Sequence, residues 1–166
     1  MTTKSLIKKL KLEPLPGEGG YFRRTYQSAL KTPVVSKSGE SVARNLGTAI
    51  LYLVTPREFS ALHRISSDEI FHFYLGNPVE MIQISEKGQA RKIILGSGIS
   101  RGQEVQAIVP AGTWQGTRLV PGGKYALLGT TVLPGFDFAD FELGKRQELG
   151  ARFPRFEKEI TRYTRN

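Results

Sequence analysis

The amino-acid sequence predicts an all-β domain with a short helix at each end. From residue 21 to about residue 144 it reads as a succession of short segments rich in β-branched and aromatic residues, each bounded by glycine or proline. With 18 glycines available for corners, this pattern is typical of a β-sandwich or a small barrel. The 166 residues fit a single domain, residues 1–166, because a chain of this length buries roughly two-thirds of its unfolded surface in one core.

Each element has its own signal along the chain. Residues 5–12 alternate leucine and isoleucine with lysine at helical spacing, and Pro14 ends the helix that they predict. A turn-rich connector, PLPGEGG, precedes the first strand. The tail FPRFEKEITRYT predicts a C-terminal helix, because its apolar residues recur on one face. Nine predicted strands lie between the two helices, with the sequences YFRRTYQS, TAILYLVT, EFSALHRI, EIFHFYL, PVEMIQIS, ARKIILG, EVQAIVP, TRLVP and KYALLGTTVL.

The formal charge of +9 is dispersed along the chain. Its densest region, residues 144–166, holds seven basic residues against three acidic ones, a composition typical of a solvated helix face. No helix-turn-helix, RNP or zinc-finger motif accompanies the charge. Nucleic-acid binding by a β-barrel is therefore only the third of three hypotheses.

The absence of cysteine excludes disulfides, thiolate metal sites and cysteine nucleophiles. The N-terminal segment lacks the apolar core of a signal peptide, and no later segment approaches the ~18 apolar residues of a membrane-spanning helix. We therefore expect a soluble, cytoplasmic protein that makes no membrane contact.

Both histidines lie in one segment, HRISSDEIFHFYLG, residues 63–76. A strand that points His63 inward is followed by the turn SSD, which folds the chain back so that Glu69 begins the next strand beside His63. Strand alternation then places Phe71 and Phe73 on the same side as Glu69. The pattern predicts an imidazole and a carboxylate together in a cavity lined by two phenylalanines.

His72 and Tyr74 fall on the opposite face by the same alternation, although a β-bulge near the turn would reverse the two faces. His72 is therefore kept as a candidate ligand-binding residue, and Tyr74 as a candidate proton donor. A purely structural alternative for His63 and Glu69 is a buried ion pair or hydrogen-bonded couple that fixes the barrel mouth.

The same segment resembles the first motif of the cupin superfamily. That motif is a histidine, one residue, a second histidine, three or four residues, a glutamate, six residues and a glycine. Here His63, Ile65, Glu69 and Gly76 occupy the four positions. The segment PAGTWQ resembles the second cupin motif, with Gln115 in the place of its final histidine. Isoleucine and glutamine thus replace two of the family's three histidines.

Four ordered blocks, together covering nearly the whole chain, resemble the DUF985 or cupin 5 family. The blocks are LIKKLKLEPLPGEGGYFRRTYQS, FSALHRISSDEIFHFYLGNPVEM, VPAGTWQG and LLGTTVLPGFDFADFELG. The resemblance implies a cupin-type double-stranded β-helix, or jelly-roll barrel, with short N- and C-terminal helices. It also implies a homodimer, since open sheet edges are protected by pairing. Leu15 stands where many members of the family have a histidine.

Cupin metal sites combine three imidazoles with one carboxylate, a set that suits iron, manganese, nickel or zinc. In this chain only His63, Glu69 and Gln115 remain, and an amide oxygen is a weak ligand for these metals. We expect divalent metal to bind weakly at best there, so no metal site and no other cofactor are predicted.

The resemblance implies a pocket for a small-molecule ligand. Similarity to the sugar-nucleotide epimerases further implies metal-independent acid–base chemistry, of an epimerase or isomerase type, on a carbohydrate-like or other polar metabolite. In that hypothesis His63 is the base and Glu69 sets its tautomer. The acid is left open between Tyr52 and Tyr74, each of which could instead be a strand aromatic in the core.

Trp114 and Gln115 follow a tight turn and are expected at the barrel rim, where a flat ring and an amide would orient the ligand. Phe71 and Phe73 would contact it from the cavity wall. A non-catalytic ligand-binding or sensing module would use the same pocket, so the residues leave open whether the protein is an enzyme.

Overall fold

The all-β prediction is confirmed by the structure, a computed structural model that describes residues 2–36 and 38–165. Strands dominate, and helices are confined to the two ends. Three short 3₁₀ turns, at Ile99–Arg101, Phe138–Asp140 and Pro154–Phe156, interrupt the loops. The helices and strands are α1 (Thr3–Leu10), β1 (Glu13–Pro14), β2 (Tyr21–Gln27), β3 (Lys31–Val35), β4 (Ser41–Asn45), β5 (Thr48–Val54), β6 (Ser60–Arg64), β7 (Asp68–Gly76), β8 (Val79–Ile84), β9 (Ala90–Leu95), β10 (Gln106–Val109), β11 (Trp114–Leu119), β12 (Ala126–Leu133), β13 (Glu142–Leu143), α2 (Arg146–Arg152) and α3 (Glu157–Tyr163).

Two antiparallel sheets form the barrel. One has six strands in the order β1-β2-β5-β12-β7-β10, and the other has five in the order β13-β6-β11-β8-β9. The hairpin β3–β4 forms a small sheet of its own. Strands β6 and β7 are consecutive in the chain but belong to different sheets, so the turn between them carries the chain from one wall of the barrel to the other.

The core fills the space between the two sheets. Inward-facing aromatic and aliphatic side chains of both sheets meet there, and burying them supplies most of the driving force for folding. The fully buried members of this cluster are Tyr52, Val54, Phe71, Val79, Met81, Leu95, Ala126 and Leu128.

The terminal helices cover the outer faces of the sheets. Helix α1 packs on the six-stranded sheet, where its Leu6 meets Leu53 and Leu127. Helices α2 and α3 cover the five-stranded sheet, and Ile160 and Tyr163 bury completely against it. Within residues 2–36 and 38–165, no helix is long and apolar enough to cross a membrane.

The structure differs from the sequence prediction most clearly at two places, and the two-residue strands β1 and β13 and helix α2 were also not predicted. The hairpin β3–β4 was not predicted, because Pro33 and the polar residues around it weaken the strand signal; Pro33 is tolerated because the hairpin is a separate two-stranded sheet. Strand β11 begins at Trp114, three residues earlier than expected, because the turn ends at Thr113. Gln115 therefore lies inside a strand instead of in a turn.

Candidate functional site

A cavity of about 50 Å³ opens between the two sheets. This volume holds roughly four water molecules. Its polar lining consists mainly of Glu18, His63, Glu69 and Thr130. The remaining wall is largely apolar and includes Leu15, Phe22, Ile50, Ile65, Val132, Phe136 and Phe138. A polar floor in an apolar cavity is the usual design of a small-molecule site.

His63 is held in one orientation at the floor. Its side chain is buried, and its Nδ1 lies 2.8 Å from the backbone oxygen of Ala61. A carbonyl oxygen can only accept a hydrogen bond, so Nδ1 carries the hydrogen and donates this bond. The lone pair of the neutral ring is therefore on Nε2. The ring of Phe141 stacks on the imidazole with centroids 5.3 Å apart.

Gln115 links His63 to Glu69. It is paired with His63 across strands β6 and β11, and its amide nitrogen lies 3.0 Å from His63 Nε2 and 2.6 Å from Glu69 Oε2. The amide thus donates one hydrogen to each neighbour. The amide oxygen of Gln115 is buried and has no hydrogen-bond partner among the residues that the structure describes. His63 and Glu69 are therefore joined through an amide, where the sequence predicted a direct pair.

The pKa of Glu69 lies near neutrality. Burial raises the pKa of this carboxyl to about 7, although the charge of His63 lowers it in part and that of Glu18 raises it further. A carboxyl with this pKa is present in both protonation states at physiological pH, so it can either give or take a proton.

Glu18 is a second carboxylate at the floor, and sequence reasoning missed it. Its Oε1 accepts a 2.7 Å hydrogen bond from the Ser60 hydroxyl, and its Oε2 lies 3.7 Å from His63 Nε2. A β-bulge in β6, where the register with β11 shifts, lets Ser60 and His63 face the same side of the strand although they are three positions apart. A protonated His63 would form an ion pair with Glu18.

Two hydrogen bonds to its backbone hold the loop that carries Glu18 in place. The Tyr52 hydroxyl donates a 2.8 Å hydrogen bond to the backbone oxygen of Gly19, and Arg165 donates to the backbone oxygen of Glu18 at 3.2 Å. Gly20 has a φ of +76°, and a side chain there would collide with the Tyr52 ring. The sequence GEGG predicts only a turn, although the close approach of Gly19 to the Phe59 backbone oxygen explains why glycine is needed beside Glu18.

Tyr52 lies behind the floor and does not line the cavity. Burial raises the pKa of its phenol well above the usual value, so the hydroxyl stays protonated and serves as the donor to Gly19. Its position makes Tyr52 a positioning residue for the Glu18 loop. Its hydroxyl lies next to the Ser60 hydroxyl and the Glu18 carboxylate, one step back from the cavity wall.

Four candidate residues of strand β7 lie outside the cavity. Phe71 is buried in the core and Phe73 packs against it, so neither lines the cavity floor. His72 and Tyr74 lie on the outer face, stacked with centroids 6.4 Å apart. Tyr74 is 52% exposed and covers Gly129, so it is separated from His63 by the sheet.

Trp114 is also remote from the cavity. Its side chain is buried beneath the C-terminal helices, in the cluster with Leu149 and Ile160, and not at the barrel rim. The reason is strand alternation: Gln115 points into the barrel, so its neighbour Trp114 must point out.

A loop spanning residues 134–141 forms the mouth. Phe136 and Phe138 from this loop meet edge to face, with centroids 5.0 Å apart. The buried Asp140 anchors the loop to β4 through two hydrogen bonds from Arg44, of 3.1 and 3.4 Å. Because this anchor is a bidentate charged pair, it holds the aromatic mouth in place.

The residues present do not fit the metal that a cupin resemblance implies. Ile65 supplies no ligand atom, and the amide hydrogens of Gln115 already occupy the lone pair of His63 Nε2 and one oxygen of Glu69. Among the residues that the structure describes, no group of three or more histidine, aspartate or glutamate side chains is arranged to hold a metal ion.

Comparison with known proteins agrees with this fold. The model of the Cupin superfamily (DUF985) family matches residues 4–144. The uncharacterized protein YML079W of Saccharomyces cerevisiae is 30% identical over 140 residues, which are 79% of this chain and 70% of the yeast protein.

Solved structures show the same architecture. A hypothetical protein from Leishmania major matches over 100% of both chains with a TM-score of 0.91 and 31% identity. Oxalate decarboxylase of Bacillus subtilis is a cupin whose structure aligns with 93% of this chain. The aligned part is 38% of the decarboxylase, with a TM-score of 0.54 and 15% identity. At that identity the likeness confirms the predicted cupin fold alone.

Proposed function

Since this chain belongs to the DUF985 family of the cupin superfamily, we propose that it binds a small polar metabolite and moves a proton on it without a metal ion. The observation that carries the proposal is the buried chain Glu69–Gln115–His63, which ends at a second carboxylate, Glu18. A structural couple would need only one acid and one base. Two carboxylates and an imidazole around one cavity instead suit a site that exchanges protons with a ligand.

The chemistry that these groups support is acid–base catalysis. Ionised Glu69 removes a proton from a ligand carbon next to a carbonyl, and the electron pair of the broken C–H bond passes to the carbonyl oxygen. For epimerisation, the carbonyl re-forms and the same carbon takes a proton on its opposite face from His63, whose charged form pairs with Glu18. For isomerisation, the hydroxyl on that carbon passes its proton to the former carbonyl oxygen, the former carbonyl carbon takes the proton from His63, and the carbonyl forms at the carbon that lost its hydrogen. The outcome is an epimerisation or an isomerisation, and no oxidant or metal is consumed.

The cavity supports a carbohydrate-like ligand. Carboxylates and an imidazole at the floor suit hydroxyl groups, while Phe22 and Phe136 offer apolar surface to the C–H face of a sugar ring. Because the cavity holds only about 50 Å³, the reacting end of such a ligand would enter it and the remainder would lie at the mouth, near Phe138 and Arg24.

Solvent deuterium exchange tests the proposal. Free sugars, sugar acids and nucleotide sugars that stabilise the protein on heating would be incubated with it in D₂O, and ¹H NMR would follow loss of the exchanging C–H signal. We expect Glu69→Gln and His63→Asn to slow exchange at least a hundredfold. His72→Asn alters the other histidine, outside the cavity, and should leave the rate unchanged. Equal rates in the wild type and the two cavity variants would refute the proposal.

A second candidate, a non-catalytic binding module, is favoured by one observation. Both ring nitrogens of His63 are already engaged, by Ala61 and by Gln115, so the imidazole would need to exchange a partner before it took part in turnover. In this case the Glu69 and His63 variants would lose ligand affinity, and the wild type would bind the same ligands without any deuterium exchange.

We also propose that the chain acts as a homodimer in the cytoplasm. Exposed apolar side chains on edge strand β10 and near its end, Ile108 at 55% and Val105 at 47%, support pairing of this sheet edge with a second copy. The lack of cysteine suits a reducing compartment. Light scattering coupled to size exclusion measures the mass, and a value near the 18.5 kDa of one chain would contradict the dimer.

A further inference from the structure

A second pocket lies outside the barrel, separate from the cavity. It has a volume of about 250 Å³ and is formed where the loop 55–59 and the turn 120–123 approach helix α3. Arg118, Arg162, Phe59, Thr55 and Gly122 all line it. None of these residues belongs to the proton-transfer site proposed above.

Arg118 is fixed in this pocket without an acidic partner. Its guanidinium lies over the Phe59 ring, 3.8 Å from the centroid, and its NH1 donates a 2.6 Å hydrogen bond to the backbone oxygen of Arg162. Within residues 2–36 and 38–165, no carboxylate forms an ion pair with it. The rest of its hydrogen-bonding edge is therefore available to a ligand.

Two more arginines belong to the same cluster. Arg165 lies over Phe59 at 4.3 Å, and Arg162 forms an ion pair with Glu80 at 2.6 Å. Glu80 also accepts a 2.8 Å hydrogen bond from the Tyr163 hydroxyl, so its charge is shared.

The positive charges of this cluster exceed the negative ones. The only other carboxylate paired with the three arginines in the described chain is Glu58, 3.7 Å from Arg165. Burial, together with the charge of Arg162, lowers the pKa of Arg118, as expected of a guanidinium whose charge is not balanced. An anion in the pocket would supply the missing negative charge.

We propose that this pocket binds a phosphoryl group, either as inorganic phosphate or as the phosphate monoester of a small metabolite. The planar fork of Arg118 can donate to two oxygens at once, and Arg162 approaches from helix α3. The Thr55 hydroxyl and the turn at Gly122 border the same space. Donors that converge from several elements match a tetrahedral oxyanion better than a planar carboxylate, which offers only two oxygens.

Titration calorimetry on the full chain tests this site, with inorganic phosphate and glucose 6-phosphate at constant ionic strength set by sodium chloride. We expect saturable binding of phosphate to the wild type and at least tenfold weaker binding to Arg118→Met, which keeps the stem on Phe59. Arg91→Met is the matched control, because Arg91 is an exposed arginine paired with Glu104, and it should bind within twofold of the wild type. Tighter binding of the sugar phosphate would assign the site to esters, and equal binding would assign it to the phosphoryl group alone.

Two further variants keep the result decisive. Arg118→Lys retains the charge but not the fork, so it should fold normally and still lose severalfold in affinity. His63→Asn should bind phosphate as the wild type does, which separates this site from the cavity. No saturable binding to the wild type, or unchanged affinity in both Arg118 variants, would overturn the proposal.

Discussion

Each histidine of the chain is paired with a glutamine, one pair inside the barrel and one outside. His63 lies 3.0 Å from the Gln115 amide, in a buried site that contains two carboxylates. His72 lies 3.2 Å from the Gln106 amide and 3.3 Å from the Thr131 hydroxyl, on the outer face of the six-stranded sheet. Each imidazole therefore meets one glutamine amide, but its second partner and its surroundings differ.

This comparison shows that the surroundings, and not the histidine itself, make a candidate catalytic site. Inside the barrel, burial raises the pKa of Glu69 into the physiological range. Glu18 lies next to His63 there. On the outside, water and neutral partners surround His72, and Tyr74 beside it is half exposed. Paired variants of the two faces can therefore test whether burial makes this difference.

The largest effect is expected from restoring the missing imidazoles. Ile65→His combined with Gln115→His would give the inner site three histidines and Glu69, the full cupin set. We expect divalent nickel or zinc to bind the double variant roughly a hundredfold or more tightly than the wild type. Metal titration followed by elemental analysis measures this, with Gln115→His alone as control. Equally tight binding in the wild type would show that the present residues do hold metal.

The next effect is on stability as a function of pH. The folded-state pKa of Glu69, about 7, lies above the ordinary value of 4.5, so the folded protein keeps a proton that the unfolded chain releases between these pH values. The free energy of unfolding should therefore fall by about 3 kcal/mol as the pH rises through this window. Glu69→Gln should remove this loss and be the more stable protein at pH 8.

Urea unfolding at pH 4.5 and pH 8 measures the difference. Glu104→Gln is a suitable control, because Glu104 is a surface carboxylate paired with Arg91, and its variant should show the pH dependence of the wild type. If wild type and Glu69→Gln changed in parallel with pH, the raised pKa of Glu69 would be contradicted.

A smaller effect is expected on the stability of variants of the two glutamines. Gln115→Leu keeps the side-chain volume but removes the amide that bridges two buried groups, which should destabilise the fold by about 2 kcal/mol. Gln106→Leu alters an exposed residue, and its effect should stay within about 0.5 kcal/mol. Thermal or urea unfolding compares the two variants. Equal losses would mean that the inner bridge contributes no more than the outer one.

The smallest effect is expected from removing the hydroxyl of Tyr52 or of Tyr74. Tyr52→Phe removes the buried hydrogen bond to Gly19, and we expect a loss of about 1 kcal/mol together with weaker ligand binding as the Glu18 loop loosens. Tyr74→Phe changes an exposed hydroxyl and should alter neither. If Tyr74→Phe instead impaired turnover while Tyr52→Phe did not, the assignment of the cavity to the inner face would fail.

Strand alternation made one part of this site predictable. The period of two along β7 correctly separated Glu69 and Phe71 from His72 and Tyr74, because a strand with one buried face leaves little freedom of register. The cupin spacing likewise identified Gln115 as a neighbour of His63, which the cross-strand pairing confirms.

Long-range packing was not predictable from local patterns. Glu18 reaches His63 because three unrelated contacts, from Tyr52, Arg165 and Ser60, hold its loop over the barrel. The bulge in β6 that turns Ser60 inward has no sequence signature of its own. The prediction that Trp114 lies at the barrel rim was wrong for a related reason. The sequence after a glycine turn does not indicate which residue begins the strand, and so does not indicate which side chains point inward.

The proposed proton-transfer site requires that Glu69 be partly ionised at neutral pH, and this ionisation can be measured directly. Glutamate labelled with ¹³C at the side-chain carboxyl would be incorporated, and the signal absent from Glu69→Gln would be assigned to Glu69. Its chemical shift would then be followed from pH 4 to pH 9. A titration midpoint near 7 is the predicted result. A midpoint near 4.5, the value of an ordinary glutamate, would contradict the proton-transfer site.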